Sequence, residues 1–340
     1  MAEINTRILF KSRPTGWVAP ENFEIVTTEA PEPGADDVLV RNIYMSLDPY
    51  MRGRMNAGKS YISGFQLGEV MMAGVVGQVA ASNNPAFAEG DYVNGMLGWE
   101  NYSLAPGGKG LTKVDPSISP LSYYLGVLGM PGMTAYVGLL DIGEPKEGET
   151  VYISAASGAV GQIVGQIAKI KGCRVVGSAG SDDKVAYIRD ELGFDAAFNY
   201  RTVESLDAGL RETCPDGIDV YFENVGGEML DAVLNRINPF ARIVACGMIS
   251  QYNKEQPDGV HNLMSLVRCK AKIHGFIVSD HWDRLPAFTK DMGGWLKDGR
   301  VKYREDIAQG LENAPAAFIG MLKGENFGKQ VVQITDDPTR

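Results

Sequence analysis

The spacing of apolar and polar residues changes character near residue 150. Before that point, short apolar runs such as Val38-Leu-Val-Arg-Asn-Ile-Tyr-Met-Ser-Leu and the glycine-rich stretch 70–80 are interrupted by Gly and Pro. Interrupted runs of this kind predict a compact β-rich module, antiparallel or barrel-like, over residues 1–125. The residues that follow, 126–140, predict a connecting helix.

After residue 150, short β-branched runs alternate with stretches of helical periodicity. This alternation predicts an α/β fold in which helices cover both faces of a parallel sheet. The predicted strands are 151–156, 174–179, 196–199, 218–223, 242–246 and 273–278. The predicted helices are 160–171, 182–192, 203–213, 227–238 and 285–299.

The end of the chain returns to the character of its beginning. The run Lys329-Gln-Val-Val-Gln-Ile is strand-like and resembles the first module more than the second. We therefore predict a discontinuous first domain over 1–125, an α/β domain over 126–295, and a return segment over 296–340 that completes the first domain.

Residues 151–161, Val-Tyr-Ile-Ser-Ala-Ala-Ser-Gly-Ala-Val-Gly, are the most informative stretch of the chain. An apolar run enters a turn of small residues that contains Gly158 and Gly161, and a helical pattern follows. This order is typical of a dinucleotide-binding unit, with Ala156 where the first glycine usually stands. Small residues let the backbone approach a pyrophosphate, which then meets the N–H groups at the helix start. A tight turn that only packs the helix on the sheet is the alternative.

Composition and charge narrow the classes of function. The chain has 340 residues, of which 44% are hydrophobic and 22% charged, as in a soluble globular protein of more than one domain. A net charge of −10 without a basic block argues against nucleic acid as a partner. No apolar run has membrane-spanning length, and the N-terminus lacks the apolar core of a secretory signal. We therefore expect a cytoplasmic protein that binds neither nucleic acid nor membranes.

The cysteines and histidines are too scattered to predict a metal site. No two cysteines form a CxxC pair and no histidines form HExxH, so we expect neither a structural nor a catalytic zinc. The residues in question are Cys173, Cys214, Cys246, Cys269, His261, His274 and His281.

The end of the second predicted strand bears on the choice between NAD and NADP. An NAD enzyme usually has Asp or Glu about twenty residues after the glycine turn. Here Ser178 falls at that place and Lys184 follows it. Because a lysine attracts a 2′-phosphate that a carboxylate would repel, we predict NADP(H) as the cofactor. An ordinary solvated lysine in the first turn of a helix, close to Asp182 and Asp183, is the alternative.

Three candidate residues follow the next three predicted strands. Tyr200 can bind the same phosphate or flank the adenine, or it is an ordinary half-buried aromatic residue. Asn224 precedes a Gly-Gly turn and can hold a ribose or an amide group. Cys246 closes the fifth strand, and we interpret it as a small wall residue because no base stands beside it in sequence.

Five motifs of the chain are specific enough to compare with known families: Ala155-Ala-Ser-Gly-Ala-Val-Gly161, Phe222-Glu-Asn-Val-Gly-Gly227, Cys246-Gly-Met-Ile-Ser-Gln-Tyr-Asn253, Leu47-Asp-Pro-Tyr-Met-Arg52 and Leu128-Gly-Met-Pro-Gly-Met-Thr-Ala-Tyr136. Through them the chain resembles the zinc-independent medium-chain dehydrogenase/reductases from about residue 38 to 335. The subgroup that it resembles comprises the NADPH-dependent 2-alkenal (double-bond) reductases, prostaglandin reductases and curcumin reductases. Gly68-Glu69 stands alone where zinc-dependent relatives have a Gly-His-Glu ligand motif.

The resemblance implies a Rossmann domain and a GroES-like β-rich catalytic domain, with the cofactor in the cleft between them. It implies a pyrophosphate at Gly158, Ala159, Val160 and Gly161. It implies that the adenosine 2′-phosphate end is bound by Gly180, Lys184 and Tyr200. The residues implied on the ribose and nicotinamide side are Asn224, Cys246, Ser250, Tyr252, Phe276, Ile277, Val278 and Asn326.

The reaction that the resemblance implies is reduction of a carbon–carbon double bond conjugated with a carbonyl group. Hydride goes from NADPH to the β-carbon, and charge builds on the carbonyl oxygen as an enolate, where the protein must supply a donor. Tyr252 is the candidate, because a tyrosine hydroxyl with its ordinary pKa of about 10 stays protonated at neutral pH. A loop tyrosine that only holds a hinge is the alternative. Tyr50 is a candidate for the substrate wall, or it is a packed aromatic residue in a structured turn. The first domain is rich in methionine, which suits small hydrophobic enones and alkenals.

Other functions stay open at this point. An NADPH quinone oxidoreductase of the same superfamily would share the glycine turn but normally lacks the Ser-Gln-Tyr-Asn run. A non-catalytic NADP-binding protein would need the nucleotide residues but not Tyr252. An alcohol dehydrogenase is disfavoured by the missing zinc ligands. The resemblance further implies a homodimer built through the Rossmann sheet.

Overall fold

The computed structural model describes residues 3–340 and contains two compact units. Unit one runs up to Gly126 and resumes over Glu305–Arg340, and unit two is Val127–Arg304. No helix within residues 3–340 is long and apolar enough to cross a membrane.

The first part of unit one is built almost entirely from strands. Its elements are β1 (Ile4–Phe10), β2 (Phe23–Glu29), β3 (Val38–Ser46), the short helix α1 (Tyr50–Arg54), β4 (Met72–Ser82), β5 (Tyr92–Gly98), β6 (Tyr102–Ala105) and β7 (Thr112–Lys113).

Unit two alternates strands and helices. Its elements are α2 (Met130–Val137), β8 (Thr150–Ile153), α3 (Gly161–Ile170), β9 (Arg174–Ala179), α4 (Asp182–Ala186), β10 (Ala196–Asn199), α5 (Leu206–Thr213), β11 (Ile218–Glu223), α6 (Gly227–Leu234), β12 (Ile237–Ala245), α7 (Met264–Cys269), β13 (Lys272–Gly275) and α8 (Leu285–Lys297).

The return segment adds β14 (Glu305–Gln309), α9 (Ala314–Leu322) and β15 (Lys329–Gln333) to unit one. β15 pairs antiparallel with β3, so the main sheet of unit one has the order β14-β15-β3-β4-β5-β7, with β6 also paired to β3. β1 and β2 form a separate antiparallel pair. The core of unit one includes buried side chains from both parts of the chain, such as Trp99 and Phe318, whose rings meet edge to face.

The sheet of unit two is parallel, with the order β10-β9-β8-β11-β12-β13. Counted within the unit, this is the strand order 3-2-1-4-5-6 of the doubly wound dinucleotide-binding fold. The predicted fold class, a Rossmann sheet plus a separate β-rich module, is thereby confirmed. Strand β11 is apolar because it lies in the middle of the sheet and is covered on both faces.

Serine caps set the starts of two helices in unit two. The hydroxyl of Ser181 accepts a hydrogen bond from the Lys184 amide at the start of α4, and that of Ser205 accepts one from the Ala208 amide at the start of α5. Both serines satisfy amides that have no partner inside the helix.

The predicted helix 227–238 is wrong at its end. α6 stops at Leu234, and β12 begins at Ile237, which pairs with Ile218. Pro239 cannot continue a helix, and Phe240 takes a positive φ of 67° at a bulge in the strand. The apolar residues that suggested a helical face belong instead to a longer strand than the predicted 242–246.

Two further boundaries differ from the sequence-based expectation. β13 ends at Gly275, so residues 276–278, expected at the end of this strand, leave the sheet. The chain leaves unit two at Arg304, later than the expected boundary at 295/296. The amides of Lys302 and Arg304 donate to the side chains of Gln166 and Gln162 on α3, which holds this stretch on unit two.

Candidate active site

The strand order of unit two marks where a ligand binds. β8 and β11 are neighbours, yet the chain continues from β8 to β9 on one side and from β11 to β12 on the other. In open α/β sheets, ligands bind beyond the carboxyl ends of the strands at such a switch point. The segments that follow β8 and β11 are therefore the first components of the candidate site.

The glycine turn after β8 is closely packed. The Gly158 amide donates to the carbonyl oxygen of Ala155, 3.0 Å away, and Ala155 itself has a positive φ of 50°. A methyl group at position 161 would lie 2.5 Å from the same oxygen, so only glycine fits there. The turn thus needs the small residues that the sequence motif contains.

The start of α3 offers unpaired backbone donors. Its cap residue, Val160, makes no side-chain cap, and within residues 3–340 the amides of Ala159, Val160 and Gly161 donate no hydrogen bond. N–H groups of this kind at a helix start are the partners that a pyrophosphate takes. The residues of this turn therefore fit a dinucleotide.

Two of the three residues expected at the 2′-phosphate end meet in the structure. The Tyr200 amide donates to Ala179 at the end of β9, and a methyl group on Gly180 would lie 2.8 Å from the Tyr200 hydroxyl oxygen. Lys184, half-buried, lies in the first turn of α4. The Arg201 guanidinium lies 5.8 Å from the centre of the Tyr200 ring, and this second cation was not singled out from the sequence.

Ser178 does not face the carboxyl edge of the sheet. Its side chain is fully buried, and its hydroxyl lies 2.8 Å from that of Tyr152 on β8. Ser178, which stands where an NAD enzyme usually has an acidic residue that binds the ribose, is therefore part of the core. Asp182, which complicated the phosphate assignment, accepts a hydrogen bond from the Asn199 side chain, 2.8 Å away.

Asn224 lies at the switch point but is engaged with the main chain. Its side-chain nitrogen donates to the carbonyl oxygen of Ser154 at 2.8 Å, and its amide donates to the Ser154 hydroxyl at 3.0 Å. The side-chain oxygen accepts no hydrogen bond within residues 3–340 and is the atom left for a ligand.

The segment after β12 folds back onto the turn after β11. Ser250 donates from its hydroxyl to the carbonyl oxygen of Val225 at 2.6 Å. The Tyr252 hydroxyl oxygen accepts a hydrogen bond from the Met248 amide at 3.2 Å, and a methyl group on Gly247 would lie 3.0 Å from it. The structure therefore brings Asn224, Ser250 and Tyr252 to the same edge of the sheet.

Cys246 is the first residue after β12, and its surroundings disfavour the thiolate form of its side chain. Desolvation, with a smaller contribution from Glu223, raises the pKa of the thiol to about 12. A thiol that stays protonated at neutral pH is a poor nucleophile. This supports the interpretation of Cys246 as a wall residue.

Glu223 was missed in the sequence analysis. Its side chain is fully buried at the end of β11, where burial raises the pKa of the carboxyl group and hydrogen bonds from Gly226 and Val225 oppose the rise. The only signal in the sequence is an acidic residue that ends the apolar run Val-Tyr-Phe-Glu.

The remaining predicted residues, apart from Tyr50, lie in two places. Phe276, Ile277 and Val278 follow β13 and are half-buried, and a methyl group on Gly138 would lie 2.7 Å from the Phe276 ring. Asn326 belongs to unit one, where its side chain donates to the carbonyl oxygen of Gly328 at 2.8 Å. The roles of these residues at a nicotinamide stay predictions.

Tyr50 also belongs to unit one, at the start of α1. Burial, with the charge of Asp48, raises the pKa of its hydroxyl above the usual range. Asp48 in turn forms a buried ion pair with Lys329, whose Nζ lies 2.9 Å from Asp48 Oδ1 and donates to the carbonyl oxygen of Leu47. The return segment thereby anchors the turn that carries Tyr50.

Two family models match the chain. The model described as the N-terminal domain of oxidoreductase covers residues 6–114, and the model described as zinc-binding dehydrogenase covers residues 159–292. Full-length relatives match as well. A 2-alkenal reductase (NADP⁺-dependent) from Nicotiana tabacum is 48% identical over 97% of this chain and 98% of its own length.

The chain belongs to the medium-chain dehydrogenase/reductases. It is an oxidoreductase of this family, as the motifs implied. An NADPH-dependent curcumin reductase from Escherichia coli is 46% identical over 98% of both chains. The crystal structure of CurA in complex with NADPH from Vibrio vulnificus superposes with a TM-score of 0.92 at 47% identity, over 98% of this chain and 100% of that one.

The family fold extends to more distant proteins. The Escherichia coli quinone oxidoreductase complexed with NADPH has a TM-score of 0.76 at 20% identity, which shows a shared fold alone. Although one family model is named for zinc binding, no group of three or more His, Cys, Asp or Glu side chains within residues 3–340 could hold a metal ion.

Proposed function

We propose that this protein reduces the carbon–carbon double bond of α,β-unsaturated aldehydes and ketones with NADPH. The observation that carries the proposal is the position of the Tyr252 hydroxyl, which lies against Gly247 just beyond the carboxyl end of β12. A hydrogen-bond donor at that edge of a dinucleotide-binding sheet is what an enolate requires. The names of the alkenal and curcumin reductases, each nearly half identical over almost the whole chain, support the same reaction.

The cofactor is NADP(H). The relatives named above depend on it, and the residues of unit two suit it. The unpaired amides at the start of α3 suit the pyrophosphate. Gly180 leaves room for Tyr200, and Lys184 supplies a cation for the 2′-phosphate.

The chain's own part in the reaction is to orient the substrate and to stabilise charge. NADPH, when bound, supplies the hydride that goes to the substrate β-carbon. The Tyr252 hydroxyl donates a hydrogen bond to the substrate carbonyl oxygen as negative charge develops there. The Met248 amide, which donates to the Tyr252 oxygen, strengthens this donor through cooperativity. The proton for the α-carbon comes ultimately from water.

The substrate is a small hydrophobic enone or alkenal. Tyr50 forms part of the substrate wall, and its hydroxyl, with a pKa above the usual range, stays neutral there. Tyr50 packs against a core cluster that contains adaptable methionine side chains, which suits varied hydrophobic substrates. These side chains are Met45, Met51, Met55 and Met71.

The decisive experiment follows NADPH oxidation with a small alkenal or enone, with NADH run in parallel. Fast turnover with NADPH and little with NADH is the expected result, because Lys184 and Tyr200 favour the 2′-phosphate. Turnover with a quinone but not with an enone would favour the quinone oxidoreductase. Tight binding of NADPH without turnover of any of these substrates would favour a non-catalytic NADP-binding protein.

We further infer a homodimer that acts in the cytoplasm. The edge strand β13 supports the dimer, because all four of its residues are exposed and no strand of the described chain pairs with its outer edge.

A further inference from the structure

Glu223 is the last residue of β11 and lies beneath the segments that carry the candidate site residues, with its side chain fully buried. Its side chain is 0% exposed, and Oε1 accepts three hydrogen bonds. The donors are the amides of Val225 at 2.6 Å and Gly226 at 2.9 Å, and the hydroxyl of Ser154 at 3.2 Å. One carboxyl oxygen thus shapes the turn that follows its own strand and ties it to the end of β8.

The main chain of Glu223 makes a second connection. Its carbonyl oxygen accepts hydrogen bonds from the amides of Cys246 at 3.0 Å and Gly247 at 3.1 Å, just after β12. A single residue therefore joins the segments that follow β8, β11 and β12. The segments after β11 and β12 contain the candidate ribose and nicotinamide residues of unit two closest to the switch point, and the segment after β8 contains the glycine turn.

The turn held by Glu223 carries the segment that contains Tyr252. The Val225 carbonyl oxygen accepts hydrogen bonds from both the amide and the hydroxyl of Ser250, at 3.1 and 2.6 Å. The Asn224 carbonyl oxygen accepts one from the Ile249 amide at 3.0 Å. The buried carboxyl group is therefore linked to Ser250 through hydrogen bonds to the two peptide groups of Val225. Tyr252 follows Ser250 two residues later in the chain.

Stability alone does not explain a carboxyl group at this place. Burying a carboxyl group is costly, and the second oxygen of Glu223, Oε2, has no hydrogen-bond partner in the part of the chain that the structure describes. An apolar side chain of similar volume would avoid that cost. What it would lose is the acceptor for the two amides of the turn.

We propose that Glu223 is a positioning residue for the nicotinamide half of the cofactor site. Its carboxyl group sets the conformation of the turn 224–226 and, through it, the placement of Ser250 and Tyr252. The adenosine half, at Gly180, Lys184 and Tyr200, does not depend on it. The inference rests on the proposed function, since it requires NADP(H) at this site.

The test compares two ligands on two variants. Glu223→Leu removes the acceptor and keeps a similar volume, whereas Glu223→Gln keeps an acceptor oxygen. The ligands are NADPH and adenosine 2′,5′-bisphosphate, which has the 2′-phosphate end but no nicotinamide. We expect Glu223→Leu to weaken NADPH binding about tenfold, because two turn amides lose their acceptor, and to leave bisphosphate binding unchanged. Glu223→Gln should restore NADPH binding.

Glu305→Leu is the matched control. Glu305 is another carboxyl group with one unpaired buried oxygen, and its other oxygen accepts a hydrogen bond from Ser122 at 2.7 Å in unit one. We expect this variant to bind both ligands as the wild type does. Equal weakening of both ligands by Glu223→Leu, or no weakening of either, would overturn the proposal, since a purely structural role does not distinguish the two halves.

A second variant keeps the test decisive if Glu223→Leu does not fold. Ser154→Ala removes the hydroxyl that donates to Glu223 and accepts from the Asn224 amide. We expect this variant to lose NADPH affinity but not bisphosphate affinity, by a smaller factor than Glu223→Leu. Unchanged NADPH binding in this variant would then reject the positioning role. A wild-type protein that binds neither ligand would instead reject the proposed function itself.

Discussion

The hydroxyl group of Tyr252 is the smallest feature on which the proposed chemistry depends. It accepts a hydrogen bond from the Met248 amide and lies against a glycine, where any larger residue would crowd it. This hydrogen bond and this contact fix the position of the hydroxyl oxygen. A donor fixed in advance needs little reorganisation when charge develops on a substrate oxygen.

Replacing Tyr252 with Phe removes this donor and leaves the ring. We expect kcat/KM for an enone to fall about a hundredfold, by analogy with the loss of one oxyanion donor, while NADPH affinity changes little. Steady-state kinetics and NADPH titration measure the two quantities. Wild-type kcat/KM in the Phe variant would show that the donor is another group.

Tyr124→Phe is the control, because it also removes a hydrogen-bonded tyrosine hydroxyl but at a position outside the candidate site. The Tyr124 hydroxyl donates to the carbonyl oxygen of Asp115 at 2.8 Å, in unit one and outside every candidate site segment. Its removal should leave enone turnover unchanged. A comparable fall in both variants would assign the effect to stability.

Some residues of the candidate site could be singled out from the sequence, and others could not. Spacing alone singled out Gly158 and Gly161, because the close approach of a helix to a turn excludes larger side chains at fixed positions, and their contact with a pyrophosphate stays a prediction. Glu223 could not, because the hydrogen bonds that define it come from Ser154 and from two amides whose directions depend on the folded turn.

At the scale of elements, helix α3 shows how close packing sets the fold of unit two. A methyl group on Gly165 would lie 2.0 Å from the buried ring of Phe194. We expect Gly165→Ala to lower the free energy of unfolding by about 1–3 kcal/mol, because the buried ring would have to shift within a packed core. Chemical denaturation followed by circular dichroism measures the change.

Gly293→Ala is the matched substitution in another helix. Gly293 lies inside α8, and an added methyl group meets no atom within 4 Å. Here the better helix propensity of alanine should raise the free energy of unfolding by about 0.5–1 kcal/mol. A rise in the free energy of unfolding in both variants would mean that helix propensity, and not the contact with Phe194, decides the outcome.

Element boundaries show where local patterns fail. The run 227–238 has helical periodicity, yet its last residues pair with β11 as part of β12. A short apolar stretch is compatible with both states, and the neighbouring strand decides between them. The predicted strands 174–179, 196–199 and 218–223 match β9, β10 and β11 because turns bound each of them closely.

At the scale of the whole molecule, we predict a homodimer whose interface lies at the exposed edge strand β13. Large apolar side chains are exposed on β13, on its neighbour β12 and on α7, the helix that precedes β13. They are Phe240 at 62%, Met264 at 75%, Val267 at 72% and Ile273 at 37% exposure. We expect light scattering to give twice the mass of one chain.

Val267→Glu tests this surface. A carboxylate in an apolar interface is costly, so the variant should shift the protein towards the monomer without loss of folded structure. Ile118→Glu, at an equally exposed position of unit one, should leave the dimer intact. A monomeric wild type would reject the dimer, and dissociation by both variants would reject this surface.

The sequence by itself determined the alternation of strands and helices, the glycine turn before α3 and the family of oxidoreductases. The alternation and the turn follow from side chains that act on their immediate neighbours, and the family follows from the motifs. Only the tertiary structure decided that Ser178 points into the core, that Gly180 meets Tyr200, and that Glu223 joins three strand ends. Each of these depends on hydrogen bonds or contacts between segments far apart in the chain, and no local pattern specifies which segments become neighbours.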